Sequence, residues 1–158
     1  MPLRILLHWD WYSKAAEKGI AEAQHNLGVM YDKGRGVPQD FAIAVNWYQK
    51  AAEKGYARAQ FNLGEAYFRG QGVKRNFAET VKWHTKAAEL GNVRAQFNLG
   101  LMYYKGLGVP RDYKEAVNWI RKAAEQGTAL AQYNLGVMYA QGQGVSQDYR
   151  KAVNWFRK

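Results

Sequence analysis

Between residues 57 and 69 the apolar positions Ala59, Leu63 and Tyr67 stand four apart, with Asn62 and Ala66 beside them. Side chains at that spacing share one face of a helix, so the stretch predicts a helix, called A below, from about Ala57 to Arg69 with one buried stripe. Gly70 is placed for a left-handed C-cap, and a basic residue in the last turn suits the negative end of the helix dipole. A short loop, Gly70-Gln71-Gly72-Val73, leads to Asn76, a good N-cap, and to a second helix, B, carrying Phe77, Val81, Trp83 and the pair Ala87-Ala88 before Gly91. Asn76 with Glu79, and Asp112 with Glu115, have the spacing of capping boxes. Gly64 falls in mid-helix, where glycine costs about 1 kcal/mol relative to alanine, so its place implies a neighbour too close for a side chain.

This pattern recurs. The segment Ala59 to Gly64 has counterparts at Ala23 to Gly28, Ala95 to Gly100 and Ala131 to Gly136, each 36 residues from the next. All 16 glycines fall into four columns at that interval, and Trp11, Trp47, Trp83, Trp119 and Trp155 form a fifth. A fixed period of this size marks a stacked repeat, so two antiparallel helices per unit give an all-α solenoid. The boundaries predict one repeat domain over residues 1–158. Residues 1–20 form a partial unit with helix B only, 21–56, 57–92 and 93–128 are full units, and 129–158 is a truncated last unit.

Composition adds a direction. The formal charge of +10 is uneven: net +1 for residues 1–20, 0 for 21–56, and +3 for each of the three units after that. Such a field favours anionic partners without bearing on the fold. With no cysteine there is neither a disulfide framework nor a thiolate metal site. The apolar run near the start is too short for a secretory signal, and no run reaches the length of a membrane span, so the expectation is a protein that stays in the cytoplasm where it is made unless an export signal has been lost.

The pattern A-x-A-Q-x-N-L-G-x-x-Y-x-x-G-x-G-V, followed by D-[FY]-x-x-A-V-x-W-[FY]-x-K-A-A-E-x-G, resembles the SEL-one-like repeat (SLR) family, a relative of the tetratricopeptide repeats, from about Asp10 to Lys158. Departures sit at the edges: residues 1–9 lack the Asp cap and the Phe or Tyr of helix B, and the last unit stops before Ala-Ala-Glu. The resemblance implies a right-handed superhelix of helix pairs that serves as a protein-interaction scaffold, common in bacteria. Cysteine-rich relatives carry paired cysteines in each unit, which this chain lacks.

Unvarying columns, such as Leu27/63/99/135, Tyr31/67/103/139 and the tryptophans, read as core. In the related tetratricopeptide units the concave surface is lined mainly by helix A, which carries the candidate site to variable positions there. These are Arg58, Phe61, Glu65, Phe68 and Arg69 in one unit, Arg94, Phe97, Leu101, Tyr104 and Lys105 in the next, and Tyr133 in the last. Aromatic and arginine side chains together are frequent binding hot spots, and the positive charge suits an acidic peptide or protein segment. The competing reading half-buries Phe61 and Phe97 between adjacent A helices and leaves the arginines to solvate the surface. A second function class is binding of nucleic acid or another polyanion. A third is end-to-end assembly or homodimerisation through Ile5, Leu6 and Trp9 at one end and Val153 and Phe156 at the other.

The chemistry of catalysis finds no footing. His8, His25 and His84 share no metal spacing, the Gly-x-Gly loops lack the strand and Gly-Lys-Ser/Thr of a phosphate loop, and no nucleophile-base pair or carboxylate pair stands out. The expectation is therefore a non-enzyme without cofactor or metal. Lys50, Lys86 and Lys122, each three residues before Glu53, Glu89 and Glu125, read as a solvated face with modest ion pairing.

Overall fold

The structure, a computed structural model, describes residues 3–158, with side chains from Trp9 onward. The described residues form nine helices and no strand: α1 (Leu3–Glu17), α2 (Ala21–Lys33), α3 (Phe41–Glu53), α4 (Ala57–Arg69), α5 (Phe77–Glu89), α6 (Val93–Lys105), α7 (Tyr113–Glu125), α8 (Ala129–Gln141) and α9 (Tyr149–Phe156). The all-α repeat of helix pairs is as the periodicity predicts, and α4 has the predicted bounds. Two compact units divide the chain, Met1–Lys86 and Ala87–Lys158, and α5 runs across the division.

Each joint between helices is closed by hydrogen bonds that recur from repeat to repeat. After α3 the N–H of Gly55 donates to Ala52 O (3.0 Å) and that of Tyr56 to Ala51 O (3.1 Å), a Schellman ending. The same pair follows α7, where Gly127 donates to Ala124 O and Thr128 to Ala123 O. The carbonyl that ends helix B also takes a side chain. Gln60 Nε2 donates to Ala52 O at 3.1 Å, and Gln24, Gln96 and Gln132 do the same to Ala16, Ala88 and Ala124. All four glutamines are buried, so each satisfies a C-terminal carbonyl that water does not reach.

The N-caps of the B helices form as expected, but the capping boxes close only halfway. Asn76 Oδ1 accepts from Glu79 N (3.1 Å) and Asp112 Oδ1 from Glu115 N (3.1 Å). The N–H that the glutamate would bind in return is already used: Asn76 N donates to Tyr67 O and Asp112 N to Tyr103 O, both at 3.0 Å. Glu79 instead pairs with Lys82 at 3.1 Å.

The mid-helix glycines mark close helix contacts. A Cβ on Gly64 would collide with the His84 ring, and one on Gly100 would sit 2.6 Å from Ile120 Cγ1 and 3.1 Å from Ala116 O. Leu63 and Leu99, one residue earlier, are fully buried. In the first unit Ala44, Val45, Tyr48, Ala51, Ala52, Ala59, Leu63, Ala66 and Trp83 form one cluster, and Ala16, Ala23 and Leu27 a second. In the second unit a cluster is centred on Ala116, Val117, Ile120, Leu135 and Met138 and includes Phe97.

Two expectations need correction. Trp83 is buried and Trp47, Trp119 and Trp155 are half-buried, but Trp11 is 78% exposed. Trp47 packs against the cluster of Ala16, Ala23 and Leu27, and Trp83 belongs to the cluster that holds Ala44, Val45 and Tyr48 of α3, whereas no described helix takes the corresponding place against α1. The lysines three residues before the glutamates do not pair with them. Lys50, Lys86 and Lys122 lie over Trp47, Trp83 and Trp119 at 4.3, 4.6 and 4.1 Å from the ring centroids, because the ring one turn back offers both a π face and cover for the aliphatic stem. Of the apolar residues expected at the ends, Trp9 is half-buried against Ala16, Ala23 and Leu27, while Val153 and Phe156 are 42% and 47% exposed. The side chains of Ile5, Leu6 and His8 lie outside the described residues.

Two stability measurements follow from this packing. Gly100→Ala should lose about 1–3 kcal/mol in denaturant unfolding, because the added methyl displaces α7; a gain of about 1 kcal/mol would mean that helix propensity alone governs the position. Phe97→Ala should cost about 3–5 kcal/mol, whereas Tyr133→Ala, at a 60% exposed ring, should stay within about 1 kcal/mol; equal losses would contradict the burial difference.

Candidate partner-binding faces

In the first unit the candidate positions lie on α4, whose inner stripe of Ala59, Leu63 and Ala66 is held in the core. That leaves Arg58, Phe68 and Arg69 exposed and Glu65 half-buried. Glu65 accepts from Arg69 Nη2 at 3.0 Å, so one carboxylate already neutralises one of the two cations on this helix. Phe68, 39% exposed, tilts against Phe77 at 5.5 Å. Phe61 is only 8% exposed and stacks on His84 with centroids 5.3 Å apart.

In the second unit the positions lie on α6 and α8. Arg94 and Lys105 are exposed at the two ends of α6, with Leu101 and Tyr104 half-buried between them. Tyr104 donates from Oη to Gln143 Oε1 at 3.0 Å and tilts on Tyr113. Phe97 is 9% exposed and belongs to the core cluster. Tyr133 is 60% exposed, its ring 5.7 Å from that of Phe156. Neither α6 nor α8 carries an Asp or Glu.

Phe61 and Phe97 are thus buried, and more deeply than the half-buried place between A helices allows, with Phe61 stacked on His84 of α5 and Phe97 in the cluster that holds Ala116, Val117 and Ile120 of α7. The other candidate residues reach the surface wholly or in part. Leu130, 58% exposed on α8, was not among the candidates; its signal was an apolar residue in a column that reads Glu22, Arg58 and Arg94 in the earlier copies. Asn62 was also missed, because a residue repeated in every copy looks like core. It is half-buried, and its Nδ2 lies 3.1 Å from His25 Nε2.

His25 is 7% exposed, with Nδ1 3.3 Å from Asn26 Oδ1. Nδ1 therefore donates and Nε2 accepts from Asn62. Tyr48, which also bonds Asn62, has its hydroxyl pKa raised, chiefly by burial. Among the described residues no group of three or more His, Asp or Glu side chains is placed to hold a metal ion, and no helix is long and apolar enough to cross a membrane.

The chain matches the Sel1 repeat family over residues 9–20, 21–56, 57–92, 93–128 and 129–158. Among solved structures it is similar to c5321, a protective antigen present in uropathogenic Escherichia coli strains that displays an SLR fold. The two share 47% identity at a TM-score of 0.92, over 93% of this chain and 32% of that protein. A Sel1 repeat protein from Oxalobacter formigenes is 40% identical, with a TM-score of 0.89 over 94% of this chain and 61% of its own length. The immunity protein Pa5087 of Pseudomonas aeruginosa is 29% identical, with a TM-score of 0.56 over 91% of this chain and 53% of that one. This chain therefore spans about a third of the first of these proteins and under two thirds of the second. No curated protein matches it. With every repeat matched in register, the chain belongs to the Sel1 repeat family.

Proposed function

We propose that the exposed sides of the A helices hold acidic protein or peptide segments, and that the face formed by α6 and α8 is the stronger of these surfaces. Sel1 repeat proteins are generally protein-interaction scaffolds, and a non-enzymatic role fits a chain in which His25 and His84 are taken up in packing. The observation that carries the reading is the charge of the second unit's A helices. Arg94 and Lys105 face outward, no carboxylate lies on either helix, and Leu101, Leu130 and Tyr133 supply partly or wholly exposed apolar area. An acidic segment with one or two apolar anchors meets both needs, since cations at the rim steer the encounter and desolvated anchors supply affinity. On α4 the pairing of Glu65 with Arg69 reduces the positive charge available.

Binding to single-stranded nucleic acid is the weaker reading. Stacking of bases needs open ring faces, and Lys50, Lys86, Lys122 and Lys158 already lie over the four tryptophans Trp47, Trp83, Trp119 and Trp155.

The test uses immobilised wild-type chain, Arg94→Glu/Lys105→Glu and Arg58→Glu with a nuclease-treated lysate and with synthetic acidic peptides bearing aromatic residues. The Arg94/Lys105 reversal should weaken peptide capture at least about tenfold, with helical circular dichroism and melting unchanged, and Arg58→Glu should weaken it less. Capture that is equal in all three proteins would overturn the proposal.

A further inference from the structure

We propose that the first unit is acid-responsive: protonation of His25 and His84, buried on either side of α4, loosens that helix and the face carrying Arg58, Phe68 and Arg69, while the second unit is unaffected. The loosening stands on packing alone; its effect on a partner rests on the docking role proposed above for the A helices.

Both histidines occupy positions that are apolar or aromatic elsewhere in the repeat. The column of His25 reads Phe61, Phe97 and Tyr133 in the other copies, and that of His84 reads Tyr48, Ile120 and Phe156. The second unit thus has no histidine in either column. His84 is 1% exposed, and neither ring nitrogen has a hydrogen-bond partner. Its ring is clamped between Phe61, stacked at an interplanar angle of 13°, and the bare Cα of Gly64. From α4 the groups facing it are the Phe61 carbonyl and the Glu65 carboxylate, whose Oε1 is 3.6 Å from Nε2 while Oε2 holds Arg69. That separation is too long for a hydrogen bond. A proton on the ring therefore creates a buried cation whose lost hydration outweighs what the Phe61 carbonyl returns, with the Glu65 carboxylate at ion-pair rather than hydrogen-bond distance.

His25 faces Arg58 and Asn62 from α4, Tyr56 just before that helix at 5.2 Å between ring centroids, Tyr48 from α3 with Asp32 acting on that tyrosine, and Glu22 from its own helix. Its Nε2 accepts from Asn62, so protonation sets two donors against each other. The Arg58 charge adds to the penalty and Glu22 subtracts from it.

Burial lowers the pKa of both rings: that of His84 falls from 6.5 to about 4, and that of His25 moves the same way. A folded value below the unfolded one means that the unfolded chain takes up protons first. The stabilisation is thus complete above about pH 6.5 and lost as pH falls toward 4. From His84 alone the opening equilibrium should shift roughly twentyfold between pH 7 and pH 5, a window above the titration of ordinary carboxylates.

Hydrogen exchange on the full chain at pH 7 and pH 5, corrected for intrinsic exchange rates, tests this without any partner. Protection in α4 should fall roughly twentyfold or more at pH 5, with α6 to α8 unchanged. The substitutions His84→Ile and His25→Phe, which copy Ile120 and Phe97, should remove most of the fall. An unchanged α4, an equal loss in both units, or a full loss in the double substitution would overturn the proposal. Should the substituted chains fail to fold, NMR titration of the wild-type rings decides: His84 should remain neutral in the folded protein down to about pH 5, and a midpoint near 6.5 would sink the idea. If α4 loosens in acid but peptide binding to it shows no change with pH, the docking role fails and the acid response stands.

Discussion

The rest of the structure depends on the hydrogen bond from a buried glutamine to the carbonyl that ends the preceding B helix. Gln24, Gln60, Gln96 and Gln132 each reach back eight residues, to Ala16, Ala52, Ala88 and Ala124. A helix that ends inside a protein leaves carbonyl lone pairs that water does not reach, and the glycine N–H three residues on takes only one of the two on each of these carbonyls. Here the next helix supplies the donor, and in doing so fixes the angle at which it starts. The alanine pair before each joint leaves room for this, since Ala51, Ala52, Ala123 and Ala124 are all at most 2% exposed. A larger side chain there would push the A helix away from the carbonyl.

At the opposite turn the backbone does similar work. The N–H of each B-helix cap, from Asp40 to Asp148, donates to the carbonyl of the tyrosine nine residues earlier. With both joints closed, a repeat has little freedom left, and variation moves to the side chains on the outer face of helix A and to the residue opposite the mid-helix glycine. Those two places pair across the helices: His25 with Tyr48, Phe61 with His84, and Tyr133 with Phe156 form ring contacts. In this way two histidines enter the core of the first unit without altering its backbone, at the expense of unsatisfied nitrogens on His84.

Much of this was legible in the sequence because it rests on local chemistry repeated in register. The bounds of α4, the left-handed cap at Gly70, the Asn76 cap and the crowding at Gly64 each follow from residue type and spacing. Expectations failed where a group had two possible partners. Glu79 lost the cap N–H to the Tyr67 carbonyl and took Lys82. Lys50 and Lys86 turned to tryptophan rings instead of glutamates. In each pair both contacts have the same sequence separation or nearly so, and periodicity does not choose between them.

By itself the sequence determined the helix pair, its 36-residue repetition and the family, because these depend on intervals along the chain. Only the tertiary structure decided which A-helix aromatics reach solvent. Phe61, Phe97 and Tyr133 share one column, yet the first two are at most 9% exposed and the third is 60% exposed. Burial is a property of what lies across the gap, and a residue's own position in a repeat does not contain that. For the same reason the lone glutamate of α4 reads as a site charge in the sequence, and as a carboxylate shared between Arg69 and the neighbourhood of His84 in the folded chain.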